Sequence, residues 1–394
     1  MNLSRVTHPG TDSPRPLSRR AVVLSLLSLP AALVGCGGDN GGGESPPLSR
    51  TLPQDFALAY RVDPVFPPGS TNMSLALAPD ETLIVTNSVA NGYRSRTTEV
   101  VRVSKFGRPP EGVAERIARL EEGFLILGDV STVTSGGEIY LPGYAPDVAD
   151  NSSLILNVLS LGGEVRRSFV SDAMTRYGCD ALAECPDGTF LILGVEPPTN
   201  RQVIARMDAE GRFLNLVMQG ATDEEEADRN IPDDAVFSLL SAPAVSPTGD
   251  VYVDCLSGTR SFKSGYRRGF LIAKLDGSNQ RFIPNRIELD GRNTNKKGES
   301  TRRDGEGNIY VDDAVVITYP NPLPPSDDPA DAIARRGAVR KIAPDGTELG
   351  VALMPREIGG VPNHYPTLDF AVDPAGNIYV LAVDGAVYVF RRSR

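Results

Sequence analysis

Short runs of alternating apolar and polar residues, bounded by Gly, Pro, Asp and Asn, recur along the chain. Asp369 to Leu381 is the clearest: D-F-A-V-D-P-A-G-N-I-Y-V-L. Phe370 and Val372 alternate with polar or small neighbours and lead into Asp373-Pro374-Ala375-Gly376-Asn377. A second β-rich run, Ile378-Tyr379-Val380-Leu381, follows. Proline presets φ near −65° and glycine accepts φ > 0, so the stretch predicts a hairpin between two strands.

The same turn and strand recur as S-P-T-G-D-V-Y-V from Ser246, D-G-E-G-N-I-Y-V from Asp304, C-P-D-G-T-F-L-I from Cys185 and T-S-G-G-E-I-Y-L from Thr134. The most divergent copy, A-P-D-E-T-L-I-V from Ala78, has Glu81 where the others have Gly. The first apolar residues after the turns are Leu83, Ile139, Phe190, Val251, Ile309 and Ile378. Intervals of roughly 50 to 70 residues are too loose for a rigid solenoid but suit four-stranded blades with variable loops.

A second recurring piece lies downstream of each copy: VVRVSKFG from Val100, LILNVLSLGGEV from Leu154, VIARMDAEGRF from Val203, LIAKLDGSNQRF from Leu271 and VRKIAPDGTEL from Val339. It predicts a third strand, a turn and an outer strand. The last copy, VYVFRRSR from Val387, has no outer strand. Phe56 to Val62 (F-A-L-A-Y-R-V) is a spare strand able to fill that place and remove a free sheet edge. The expected fold is all-β: a six-bladed β-propeller with four-stranded blades, its last blade closed by the N-terminal strand. The competing arrangement is a β-sandwich with similar hairpins, which does not require six in-phase copies. Only Gly112 to Leu120 reads as locally helical.

Over about residues 51 to 394, the D-x-x-G-N-I-Y-V motif resembles the six-bladed propellers of the NHL-repeat and gluconolactonase-like superfamily. The resemblance implies blade architecture and says little of activity. Gluconolactonase-like members hold a divalent cation at one channel mouth with Glu, Asn and Asp, and this chain has no clear match to that full ligand set.

The first 35 residues predict an export signal. Arg19-Arg20 precede an apolar run, Ala21 to Gly35, that is shorter than the roughly 20 residues of a spanning helix. Leu33-Val34-Gly35-Cys36 resembles the bacterial lipoprotein box, which implies acylation of Cys36 as the first mature residue. A signal with an incidental cysteine, or a short membrane anchor, is the alternative. Ser18 to Leu24 also resembles the twin-arginine export motif but departs from it at Val22, Val23 and Leu24, so the ordinary secretory route stays open. Residues 36–50 then form a lipid-anchored tether rich in Gly, Ser and Pro, with a flexible reach of about 20 Å. Gly37 stands where an Asp often marks inner-membrane retention, so either the periplasmic face or the cell surface is compatible. The propeller would occupy residues 51–394.

Composition narrows the chemistry. The 39 Gly and 32 Pro among 394 residues agree with many turns. A net charge of −10 without a basic stripe argues against nucleic acid and against electrostatic docking on anionic lipid. Beyond Cys36 the cysteines are Cys179, Cys185 and Cys255. Cys179 and Cys185 fall at opposite ends of one predicted strand, about 20 Å apart if extended, so buried free thiols are expected rather than a bridge. With His8 in the signal, His364 in V-P-N-H-Y-P is the remaining histidine, either at the channel mouth or in a loop without a catalytic role. There is no Trp, so the Trp-bearing propeller signatures are missing and any stacking on sugars falls to Tyr or Phe.

Counting back eight residues from each turn glycine gives Asp129, Asp180 and Glu299, with Met73, Ser241 and Leu368 in the other blades and Asp369 one residue on. In propellers these positions lie near the mouth where long loops gather, so the acids are candidate ligands for Ca²⁺ or Mg²⁺. The alternative is that they cap turns or bind neighbouring strand ends. Thr222 to Asp234 is an acidic loop without EF-hand spacing, and Tyr319 to Ala334 a Pro-rich insertion in the fifth blade. Gly37 to Gly43 lacks the flanking elements of a phosphate loop.

The sequence favours an exported, lipid-anchored binding or scaffold module, leaning away from an enzyme. Its partners would be the membrane, through its lipid, and a protein or small-molecule ligand at the mouth. One rival is a lactonase-type hydrolase in which Asp129, Asp180 and Glu299 hold a cation that polarises a carbonyl and activates water. The other is a structural component of an envelope assembly.

Overall fold

The computed structural model describes residues 56–63, 65–66, 73–92, 95–104, 113–120, 125–126, 131–144, 153–197, 199–222, 224–225, 236–239, 241–257, 267–284, 301–317, 334–355, 357–358, 361–362 and 367–392. In every repeat the hairpin forms where alternation meets the turn. The first apolar residues after the turns, Leu83, Ile139, Phe190, Val251, Ile309 and Ile378, are all fully buried. Each turn closes alike: Gly376 N–H donates to Asp373 O, and Asp373 N–H to Asn377 O. The fourth turn residue sits at positive φ, 83° at Gly376, which costs glycine little. Glu81 adopts the same conformation, φ 65°, with a Cβ in place.

These hairpins build six antiparallel blades, each running outward from an innermost strand. Blade 1 is Met73–Leu77, Leu83–Gly92, Ser95–Val103 and Ala114–Leu120. Blade 2 has an interrupted innermost strand, Leu125–Ile126 and Thr132–Val133, then Glu138–Tyr144, Leu154–Ser160 and Val165–Val170. Blade 3 is Ala181–Glu184, Phe190–Glu196, Arg201–Met207 and Phe213–Gln219. Blade 4 is likewise interrupted, Phe237–Leu239 and Ala244–Val245, then Asp250–Ser257, Arg267–Lys274 and Arg281–Pro284. Blade 5 is Thr301–Arg303, Ile309–Ile317, Ala334–Ile342 and Glu348–Leu353.

Blade 6 is Thr367–Val372, Ile378–Ala382 and Val387–Arg392, completed by Phe56–Val62 from the far end of the sequence. Innermost strands of successive blades abut around the ring, and blade 6 returns to blade 1. Apolar clusters fill the gaps between blades: Tyr140 and Leu156 of blade 2 pack with Phe190 and Ile192 of blade 3, and Leu191 and Ile204 of blade 3 with Val251 and Leu271 of blade 4. The fold is a six-bladed β-propeller closed by its N-terminal strand.

Two local expectations needed correction. Ala114–Leu120, read as helical within Gly112 to Leu120, is the outer strand of blade 1, with Ala114 opposite Val103 and Leu120 opposite Thr98. Its Ala, Glu and Arg content suits a helix. An outer strand is half solvated, however, and pairing with its neighbour overrides that weak preference. A helix does form at Asp172–Tyr177, capped by Ser171, whose side chain accepts the Met174 N–H, and ended at Gly178. The Ser171-Asp172 start and the Gly178 stop are visible signals, but six residues are too few to show a period.

Candidate functional site

Strand direction gives the propeller two unlike faces. First-to-second and third-to-outer connections, such as 78–82, 185–189, 208–212 and 343–347, are mostly tight turns at one face. Second-to-third and blade-to-blade connections leave the other face, and they include the long segments 220–236, 258–266, 285–300 and 318–333.

An innermost strand has a sheet partner on one side only, so the polar groups on its free edge need partners around the axis. Asp369, 8% exposed on blade 6, supplies several. Its Oδ2 accepts the Leu75 N–H of blade 1 (2.8 Å). Its Oδ1 accepts Arg302 Nη2 of blade 5 (3.1 Å) and the Phe370 N–H (2.8 Å). Arg302 also donates from Nε to Phe370 O (3.0 Å) and lies over the Phe370 ring (5.7 Å). One carboxylate thus joins three blades.

Hydroxyl pairs make other junctions. Ser74 of blade 1 shares hydrogen bonds with Thr86 (2.7 Å) and with Ser131 of blade 2 (2.6 Å). Ser241 of blade 4 pairs with Thr301 of blade 5 and accepts the Asp254 N–H (3.2 Å). Glu184 joins blade 3 to blade 2 by accepting the Ser135 N–H (2.6 Å) and Oγ–H (3.1 Å).

The tight-turn face carries ion pairs. In blades 1, 3, 4 and 5 a basic residue on the third strand holds an acid at the first turn: Arg102 with Asp80, Arg206 with Asp187, Lys274 with Asp250 (2.8 Å) and Lys341 with Asp304 (3.2 Å). Lys341 and Asp304 are both buried, and Asp304 also accepts Tyr310 O–H (2.9 Å) and Asn308 Nδ2–H (2.9 Å). Burial alone would raise the Asp304 carboxyl. Hydrogen bonds from Asn308, Tyr310 and Lys341 outweigh it and hold the group below its ordinary range. Sequence reasoning missed these pairs, though their signal was present. VVRV, IARM, IAKL and VRKI each set a basic residue at one place in an apolar strand.

The predicted site residues fare unevenly. Asp180 is exposed just before the innermost strand of blade 3, and its N–H donates to Leu193 O (2.8 Å). Asp369 lies on blade 6, across the ring from blade 3. Asp129, Glu299, His364, Cys36, Arg19 and Arg20 lie outside the described residues, as does most of Tyr319 to Ala334. Among the described residues, no group of three or more His, Cys, Asp or Glu is placed to share a metal ion. The acidic stretch from Thr222 opens with reciprocal capping: Thr222 Oγ accepts the Glu225 N–H (3.1 Å) and Glu225 Oε2 the Thr222 N–H (2.9 Å). Arg201 pairs with Glu225 (2.8 Å).

Cys179, Cys185 and Cys255 are buried thiols, none of them in a disulfide. Burial pushes the Cys185 thiol up to about 11, so it stays protonated and unreactive at neutral pH. Around the described part of the ring, the Asp369 and Glu184 carboxylates and the Ser74, Ser241 and Thr301 hydroxyls are engaged in hydrogen bonds between blades.

No protein-family model and no curated protein matches the chain. Solved structures do. A protein of unknown function from Dyadobacter fermentans superposes with a TM-score of 0.52 at 11% identity, over 86% of this chain and 100% of that one. Hydrazine synthase from Kuenenia stuttgartiensis gives a TM-score of 0.46 at 13% identity, over 85% and 97%. The WD40 β-propeller domain of Doa1 gives 0.42 at 8% identity, over 86% and 98%. At these identities the likeness concerns the fold alone.

Proposed function

We propose that the chain is an exported, lipid-anchored propeller of the NHL-repeat type that binds a protein partner through the face carrying its long connections. The observation behind this reading is the contrast between the two faces. One is made largely of tight turns clamped by ion pairs. The other is the face from which connections of varied length and charge depart, the usual arrangement of a recognition surface. Anchoring is supported by Leu33-Val34-Gly35-Cys36 and by the tether behind it. The Arg19-Arg20 pair supports export by the twin-arginine route.

The test is to replace residues 319–333 by a short Gly-Ser turn in the full chain. The expected result is an unchanged melting temperature and at least tenfold weaker capture of the partner in cells. Unchanged capture after the same exchange in each long connection in turn would overturn the reading.

A further inference from the structure

The strand that closes the ring is the least buried part of the blade it completes. Of Phe56–Val62, only Phe56 and Val62 are buried, while Leu58 is 45% exposed. The edge it covers is apolar and fully enclosed: Val387, Tyr388, Val389 and Phe390. Two features make this edge selective. Phe56 meets the Tyr310 ring of blade 5 edge-on, centroids 6.4 Å apart. Arg61 reaches buried Asp384 (3.0 Å) and the Tyr388 hydroxyl (3.2 Å), and Tyr388 O–H donates to Asp384 (3.0 Å). The register, Leu58 opposite Phe390 and Val62 opposite Val387, places both contacts at once.

We infer that the Val387–Arg392 edge is an interaction surface for a second copy of this chain, whose Phe56–Val62 strand takes the place of the resident one. The strand is held by its ladder to Val387–Arg392, by Phe56 and Val62 in the core clusters and by one polar clasp, while the other three strands of blade 6 pair with one another independently of it. The bared edge, with its aromatic contact and buried acid, matches the segment that left. Reciprocal exchange closes two rings and gives a two-fold dimer, since each copy offers the same strand and the same edge. The inference does not depend on what the long-connection face binds.

The experiment mixes two isotopically distinct preparations of the full chain, both carrying a photoreactive benzoylphenylalanine in place of Leu58, an exposed position. Crosslinks to residues 387–392 are sorted by isotope into those within one copy and those between copies. Between-copy crosslinks are expected to rise with concentration and to form at least tenfold faster in Asp384→Ala. Arg61→Gln breaks the same clasp from its solvent-facing side and serves if Asp384→Ala does not fold. Crosslinks confined to single copies in both the parent and the clasp variant would overturn the inference.

Discussion

Asp369 is the residue for which the structure and the cation-site reading make opposite predictions. Replacing it by alanine removes the acceptor of Leu75 N–H, Arg302 Nη2 and Phe370 N–H together. A hydrogen bond to a charged group is worth about 1.5–3 kcal/mol, and a buried N–H left without a partner costs about 1–3 kcal/mol. The Arg302 side chain is 27% exposed, so water recovers part of its share. The sum for Asp369→Ala is about 3–5 kcal/mol. Asp369→Asn keeps the shape and an acceptor oxygen and should cost about 1–2 kcal/mol. With a urea slope of about 3 kcal/mol/M, the alanine variant unfolds roughly 1–1.7 M earlier, at unchanged slope. The assay is equilibrium urea unfolding in chelator, repeated in millimolar Ca²⁺. A loss below 0.5 kcal/mol in chelator would refute the reasoning. So would a saturable Ca²⁺ stabilisation of the parent that disappears in Asp369→Asn, because it would make the carboxylate a metal ligand.

Other outcomes follow from the same geometry. Glu81→Gly should stabilise blade 1 by about 0.5–1 kcal/mol, because glycine relieves a positive φ, and thermal melting reads it. Asp304 has a lowered folded-state pKa, so its contribution is complete above about pH 4 and is lost as pH falls through that lowered value; the loss in a urea series against pH should shrink in Asp304→Asn. Lys341→Met leaves Asp304 buried without its cation and should cost about 3–5 kcal/mol by the same assay. Cys36→Ser should abolish incorporation of labelled palmitate and move the chain from the membrane to the soluble fraction; persistence of either signal would contradict the lipid anchor.

The sequence carried the frame clearly because a blade repeats its turn. Glycine, or Glu81 in its stead, must take a left-handed conformation at one place, and the residue that follows the turn must enter the core. The closing strand was legible for a different reason: the last repeat has no outer strand of its own, Phe56–Val62 is a strand left over before the first repeat, and the two pair. The site was far less legible. Counting back from a turn locates a residue along its strand but not which of its neighbours the side chain meets. Asp180 and Asp369 were grouped by that count, yet they stand on blades 3 and 6, and Asp369 is spent on Leu75 and Arg302. Nothing local in the sequence around Asp369 points to partners 67 and 294 residues away. The third-strand bases were hidden by their ordinariness, since a lone Arg in a strand normally means a solvated face.

The central claim is that one face binds and the other holds the frame together. Photocrosslinking in living cells tests it most directly, with a benzoylphenylalanine placed singly at Val89 or Val383 toward the long-connection face and at Glu210 or Asn279 in the tight turns. The account predicts one common crosslinked species from Val89 and Val383 and none from Glu210 and Asn279. Crosslinks of equal yield from all four positions, or from the tight turns alone, would contradict it.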